Sequence, residues 1–120
     1  MASFSSVKTD LLTILNRIED VTACFDYSSA EEAENAIVID DFNLSYVHDL
    51  DMGYHKELRF TAFLITKTDD DLDDLIDALE SLDNDTETCI RDLTLESVVI
   101  SDDDLVNRIA KASMTCFVWD

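Results

Sequence analysis

The chain has 120 residues, of which 28 are Asp or Glu and eight are Lys or Arg, for a formal net charge of -20 at pH 7. A surface this anionic repels phosphate backbones and anionic membranes, so we expect neither nucleic acid nor lipid to bind it directly. Hydrophobic residues make up 47% of the chain, which excludes a disordered acidic tail. The length predicts a single domain over residues 1–120, with a short flexible tail at residues 1–5.

Three further features of composition exclude classes of protein. Gly53 is the one glycine and proline is absent, so glycine-lined nucleotide loops are excluded. Cys24, Cys89 and Cys116 lack CxxC spacing, which argues against a disulfide framework or a structural zinc site and favours reduced, buried thiols. No apolar run approaches the roughly 18 residues of a membrane span, and the first residues do not resemble a signal peptide. We therefore expect an intracellular protein, or one released by lysis.

The first half of the chain predicts one helix and two strands. Apolar residues at helical spacing predict a helix over residues 7–19, with Ser6 as its N-cap. An alternating stretch at residues 21–27 predicts a short strand, and residues 36–44 predict a second one. Residues 45–56 are polar and predict a long loop or a hairpin connection.

The second half begins with a strand that runs into a helix. Residues 57–66 have apolar side chains on both faces, which is typical of a central strand. Residues 66–82 then predict the clearest helix of the chain, capped by Thr68 or Asp69. Strands at residues 90–100 and 107–119 follow and predict a closing hairpin.

A calcium-binding loop is the alternative at the start of this second helix. Asp69, Asp71, Asp73 and Glu80 have the spacing of such a loop. The position that is normally Gly is Asp74, however, and apolar residues continue at helical spacing through the segment. We therefore favour a helix with an acidic first turn and expect no metal site.

These elements predict an α+β fold with two layers, in which a mostly antiparallel sheet carries two helices on one face. Consecutive strands with short connections are expected to pair antiparallel. The other face of the sheet would be left without helices, where sufficient apolar surface would support self-association. We assign four side chains to a subunit or partner interface: Phe63, Ile65, Phe117 and Trp119.

Nothing in the sequence indicates an enzyme or a cofactor. His48 and His55 lie in the predicted loop, with a spacing that fits no metal geometry on a helix or strand. Cys24 or Cys116 could pair with either histidine, but no local pattern marks an activated nucleophile. Acid pairs are too numerous to single out a catalytic one.

Three segments together resemble the tail terminators and related neck proteins of tailed bacteriophages. They are the N-terminal amphipathic helix VKTDLLTILNRI, the strand and helix ELRFTAFLITKTDDDLDDLIDALESL, and the closing hairpin IRDLTLESVVISDDDLVNRIAKASMTCFVW. The resemblance implies a virion protein, made in the host cytoplasm, that assembles into a ring, commonly a hexamer. Such a ring caps the tail tube, stops its polymerisation and docks to the neck.

Within this resemblance, the carboxylates would line the lumen or rim of the ring and repel DNA that passes through it. The acids at predicted element ends are assigned this role: Asp69, Asp70, Asp71, Asp102, Asp103 and Asp104. An alternative is an acidic DNA mimic that inhibits a host DNA-binding defence protein, because carboxylates at phosphate-like spacing explain the charge equally well. Adaptation to high salt is a third explanation of the acid excess.

Overall fold

A computed structural model of the protein describes residues 4–26, 28, 33–49, 53–82, 88–101 and 108–118. At residues 46–49, 53–55 and 101 it describes the backbone alone. The elements, in chain order, are α1 (Phe4–Leu15), β1 (Val21–Cys24), β2 (Asn35–Asp49), β3 (Gly53–Thr66), α2 (Asp69–Glu80), β4 (Ile90–Ser101) and β5 (Arg108–Val118).

The strands form one five-stranded sheet in the order β1-β2-β3-β5-β4, with β3 in the centre as predicted. Every neighbouring pair is antiparallel except β1 and β2, which are parallel. The expectation that all consecutive strands pair antiparallel is therefore wrong for β1 and β2. Residues 25–34 separate these two strands, which is close to the shortest connection that can return the chain to the start of β1, as parallel pairing requires.

Both helices pack on the same face of the sheet, which confirms the two-layer α+β fold. Each helix contributes an apolar stripe to one shared core, because its hydrophobic residues recur every three or four positions. Burial of a leucine side chain in this core stabilises the fold by about 1.5–3 kcal/mol. The core combines Val7, Leu11, Ile14 and Leu15 of α1 and Leu72, Leu75 and Leu79 of α2 with Leu58, Phe60, Ala62 and Leu64 of β3.

The start of α1 differs from the prediction. The helix begins at Phe4, so Phe4 and Ser5 are helical and do not belong to a flexible tail. Ser6 lies inside the first turn and is not the N-cap.

The end of α1 also differs, because the helix stops at Leu15 and not at residue 19. The Asn16 side chain explains the early end. Its Nδ2 donates to Leu12 O at 2.9 Å, and its Oδ1 accepts from Ala23 N at 2.9 Å. Asn16 thus holds the helix end against β1, and Asp20 turns the chain between them with a φ of 62°.

β2 and β3 form a longer hairpin than the sequence predicts. Their pairing continues to Asp49 opposite Gly53, so residues 45–49 and 53–56 pair as strands and the long-loop alternative is wrong. The register shifts between Asp40 and Asn43, where Asp41 has a φ of 54°. This bulge inserts an extra residue and lets the two strands stay paired on both sides of it.

β4 also departs from simple alternation. Its register against β5 shifts between Arg91 and Thr94 and again between Leu95 and Ser97. Simple alternation would place Leu93, Leu95, Ser97 and Val99 on one face, but the two shifts separate them. Leu93 and Leu95 pack against the core, whereas Ser97 and Val99 lie on the other face, because a one-residue shift exchanges the two faces of a strand.

The prediction for α2 is confirmed. Thr68 is its N-cap, and the Thr68 hydroxyl accepts a hydrogen bond from Asp71 N at 3.1 Å. The first turn consists of Asp69, Asp70 and Asp71, where carboxylates favour the positive end of the helix. Because the helix continues unbroken to Glu80, the segment is not a calcium-binding loop.

Candidate functional site: the open sheet face and the acidic helix

The sheet face that carries no helix, called the open face, has an apolar patch at one end. Cys24, Ala36 and Val38 are buried there, and Phe63 and Ile65 pack against them while remaining partly exposed. Backbone register places Val38 opposite Phe63 and Ala36 opposite Ile65. Of the predicted interface residues, Phe63 and Ile65 are thus brought together in one patch.

Phe117 lies on the same open face but at its other end, opposite Glu57 on β3 and Arg91 on β4. Thr61 and Arg59 separate it from Phe63 along the sheet. The structure therefore does not join Phe117 to the apolar patch. Trp119 lies outside the described residues.

The described side chains of the open face carry balanced charge, in contrast to the chain as a whole. Among the residues in register on this face whose side chains the structure describes, the basic ones are Arg59, Arg91 and Lys111. The acidic ones are Asp40 and Glu57, and Glu96 reaches the face by accepting a hydrogen bond from the Thr115 hydroxyl at 3.2 Å. Among these described side chains, three cations thus offset three carboxylates, although the chain has a net charge of -20.

Arg59 and Glu57 form an ion pair on the open face, with Arg59 Nε 2.7 Å from Glu57 Oε1. The hydrogen bond to Glu57 raises the pKa of Arg59. Arg91 instead donates from its guanidinium to the carbonyls of Thr88 and Ile90, which holds it at the start of β4. These local bonds fix two of the three cations close to the strands.

α2 is the acidic counterpart of the open face and lies on the opposite side of the sheet. Seven of its 12 residues are Asp or Glu, and none is basic. Carboxylates four positions apart are separated by about 6 Å along the axis. Asp69 is paired with Arg108, whose Nε lies 2.8 Å from Asp69 Oδ1. The exposed acids, which we call the acidic helix face, are Asp69, Asp70, Asp73, Asp74, Asp77 and Glu80.

The structure describes only some of the predicted lumen or rim residues. Asp69 and Asp70 are exposed in the first turn of α2, and Asp71 is half-buried beside them. Asp102, Asp103 and Asp104 lie outside the described residues. The sequence prediction missed Asp73, Asp74 and Asp77 as members of the same acidic surface, although their helical spacing was the signal that could have found them.

A cleft of about 320 Å³ opens between the end of α1, the start of β1 and α2. Its charged lining consists of Glu19, Asp20, Asp71 and Asp74, which disfavours an anionic ligand. The buried Asn35 Oδ1 has no hydrogen-bond partner.

Within the part of the chain that the structure describes, no three His, Cys, Asp or Glu side chains are grouped so that they could hold a metal ion.

The two histidines lie in strands and not in the predicted loop. His48 is opposite Tyr54 and Val47 is opposite His55, so the two histidines are offset by one residue in the β2–β3 register.

The cysteines are free thiols, with Cys24 and Cys116 buried and Cys89 half-buried. Burial raises the pKa of Cys116 to about 12 and that of Cys89 to about 11, and it also raises the pKa of Cys24. Asp10 Oδ2 also accepts a hydrogen bond from Cys89 N at 2.9 Å, which ties α1 to the start of β4. Since the thiolate is the reactive form, these thiols are poor nucleophiles at neutral pH.

Comparison with known protein families finds no match for this sequence, and comparison with curated proteins finds none either. Among the described residues, no helix has the length and apolarity to cross a membrane.

Proposed function

We propose that the protein is a structural component of a tailed-phage particle, a ring-forming tail terminator or neck subunit. In this role it caps the tail tube and lets DNA pass an acidic lumen. The observation that carries the proposal is the separation of charge between the balanced open face and the acidic helix face, which lies on the other side of the sheet. One surface suits protein contact, and the other repels DNA.

The open face supports subunit contact because it combines apolar side chains with low net charge. Phe63 and Ile65 are partly exposed beside the buried Val38, and Lys111 lies opposite Phe63. Interface cores are typically depleted of net charge and enriched in aromatic residues. A neighbouring subunit can therefore approach this face without the repulsion that the rest of a chain with a charge of -20 imposes.

The acidic helix face supports the lumen or rim role. Proteins that bind DNA neutralise phosphates with Lys and Arg, and α2 offers seven carboxylates and no cation of its own. DNA that meets this surface is repelled and does not adhere.

Assembly with a tail tube tests the proposal. The protein is mixed with a tail-tube protein of a tailed phage. The products are followed by native mass spectrometry and electron microscopy. We expect rings of this chain, with a hexamer favoured, at one end of each tube. Tubes that elongate without these rings, together with a chain that stays monomeric, would contradict the proposal.

A DNA-mimic inhibitor is the second candidate, and one observation favours it. Exposed acids recur along α2 at spacings of three and four residues, so the carboxylates form a charged row of the kind that a phosphate backbone presents. This function requires no ring. Competition between the protein and labelled DNA for a cationic DNA-binding enzyme tests it, and displacement of the DNA by wild type but not by a chain with Asn at residues 73, 74 and 77 would favour the mimic.

A further inference from the structure

β4 is an edge strand of the sheet that the described residues form, so the backbone groups on its outer side have no partner strand there. Its two halves differ in how they are protected from pairing with a further strand. In the first half, two register shifts interrupt the ladder, and Asp92 and Glu96 supply charge. Bulges and charges are the devices that usually prevent a further strand from pairing with an edge.

The second half of β4, which we call the bare edge, is residues 97–101. It pairs continuously with residues 109–113 of β5 and has the uncharged sequence SVVIS. Val99 is 65% exposed and Ile100 is 59% exposed, which places them among the most exposed large hydrophobic side chains of the described residues. Both protective devices of the first half are thus absent from these five residues.

The positions of Val99 and Ile100 indicate the shape of the missing partner. Consecutive strand residues point to opposite faces of a sheet, so one side chain is exposed on each face. A flat surface docked on either face would cover only one of them. A strand added at the edge would contact both, because its own side chains alternate in the same way.

Charge indicates the chemistry of this partner. Asp92 and Glu96 precede the bare edge on β4, and in the sequence Asp102, Asp103 and Asp104 follow it directly. The cations nearby are Lys111, opposite Val99, Arg108, which is paired with Asp69, and Arg91, whose guanidinium is bound to local carbonyls. Five carboxylates in the sequence around the bare edge therefore outnumber three cations, which disfavours edge-to-edge pairing with a second, equally acidic copy.

We infer that the bare edge binds an extended segment of a basic partner protein, which adds to the sheet as a further strand. The segment is apolar at its centre and is flanked by Lys or Arg residues, which match the acidic residues that precede and follow the bare edge in the sequence. This inference goes beyond the proposed function: Val99 also lies on the open face, but a phage particle and an inhibited enzyme could each supply such a segment.

A fluorescein-labelled peptide with alternating Val and Thr between pairs of Lys is the probe, and its fluorescence anisotropy reports binding to the full chain. Val99→Lys places a charge on the bare edge. Thr22→Lys is the matched control, because it adds the same charge at an exposed position of the other edge strand, β1. We expect wild type and Thr22→Lys to bind alike and Val99→Lys to lose at least about tenfold in affinity.

Two variant peptides separate strand addition from simple attraction of charges. N-methylation of alternate residues removes backbone donors and should prevent binding, as should replacement of the flanking Lys by Glu. Circular dichroism checks that each protein variant is folded, and Ile100→Thr gives a milder change at the same edge.

Three results would overturn the inference. They are equal binding by Val99→Lys and Thr22→Lys, unaltered binding of the N-methylated peptide, and failure of wild type to bind the Lys-flanked peptide. Self-association of wild type that Val99→Lys abolishes, without peptide binding, would assign the edge to a second copy instead.

Discussion

Phe63 on β3 and Lys111 on β5 lie directly opposite each other on the open face of the sheet. The pair is flanked by Val38 on β2 and by Val99 on β4, so a cation stands within an otherwise apolar row. In a chain with a net charge of -20, this row offers a partner both apolar contact and a positive charge.

Phe63→Glu is expected to prevent ring assembly, because it places a carboxylate in the apolar patch. Thr13→Glu adds the same charge at an exposed position of α1, on the other side of the sheet, and is expected to leave assembly unchanged. Both chains should stay folded, with free energies of unfolding within about 1–3 kcal/mol of wild type. Native mass spectrometry in the presence of tail-tube protein makes the comparison, and assembly of Phe63→Glu at the level of Thr13→Glu would contradict a role for this patch.

Thr68→Ala should lower the free energy of unfolding by about 1 kcal/mol, because the hydroxyl that accepts from Asp71 N at the start of α2 is lost. Thr68→Ser keeps the hydroxyl and should stay close to wild type. Urea denaturation followed by circular dichroism measures both. An equal loss of unfolding free energy in Thr68→Ala and Thr68→Ser would show that the missing hydroxyl cap is not the cause of the destabilisation.

Asp77→Asn should stabilise α2 by about 0.3–1 kcal/mol, because it relieves repulsion from Asp73 one turn earlier and removes a negative charge near the negative end of the helix. Asp70→Asn makes the same chemical change in the first turn, where the charge is favourable, and should gain less or lose stability. Urea denaturation at low salt measures the difference. A larger gain for Asp70→Asn would show that charge position on the helix does not govern its stability.

Alkaline pH should destabilise the fold through its buried thiols. Burial raises the pKa of Cys116 from 9.0 to about 12 in the folded chain, so the folded state holds this proton more tightly than the unfolded state. The resulting stability is complete below pH 9 and is lost as the pH rises towards 12, by at most about 1.4 kcal/mol per pH unit for one thiol. Comparison with Cys116→Ala isolates the thiol, and identical pH slopes in the two chains would contradict the prediction.

Much of the fold was predictable from side-chain periodicity. The apolar spacing of Leu72, Leu75 and Leu79, with Thr68 ahead of them, predicted α2 and its cap because a helix must bury one stripe. Apolar residues on both faces of β3 predicted a central strand for the same reason. These elements depend on local patterns that no tertiary contact overrides.

The remaining differences depend on interactions that local patterns do not contain. Asp20, Asp41 and Asp92 have positive φ values, although glycine is the usual sequence signal for such a backbone. The sequence therefore did not predict the two bulges and the tight turn at these positions. The early end of α1 depends on Asn16 reaching Ala23 across a turn. The acidic helix face was partly predictable from helical spacing, whereas the charge balance of the open face emerges only when strand register brings separate residues together.

Chemical footprinting of the assembled protein tests the central claim most directly, namely that the open face makes the contacts while the acidic helix face stays exposed. Lys111 is acetylated and the carboxylates of Asp73 and Asp77 are modified with a carbodiimide, before and after assembly, and peptides are quantified by mass spectrometry. The account predicts that assembly protects Lys111 and leaves Asp73 and Asp77 reactive. Protection of Asp73 and Asp77 with Lys111 still reactive would contradict it.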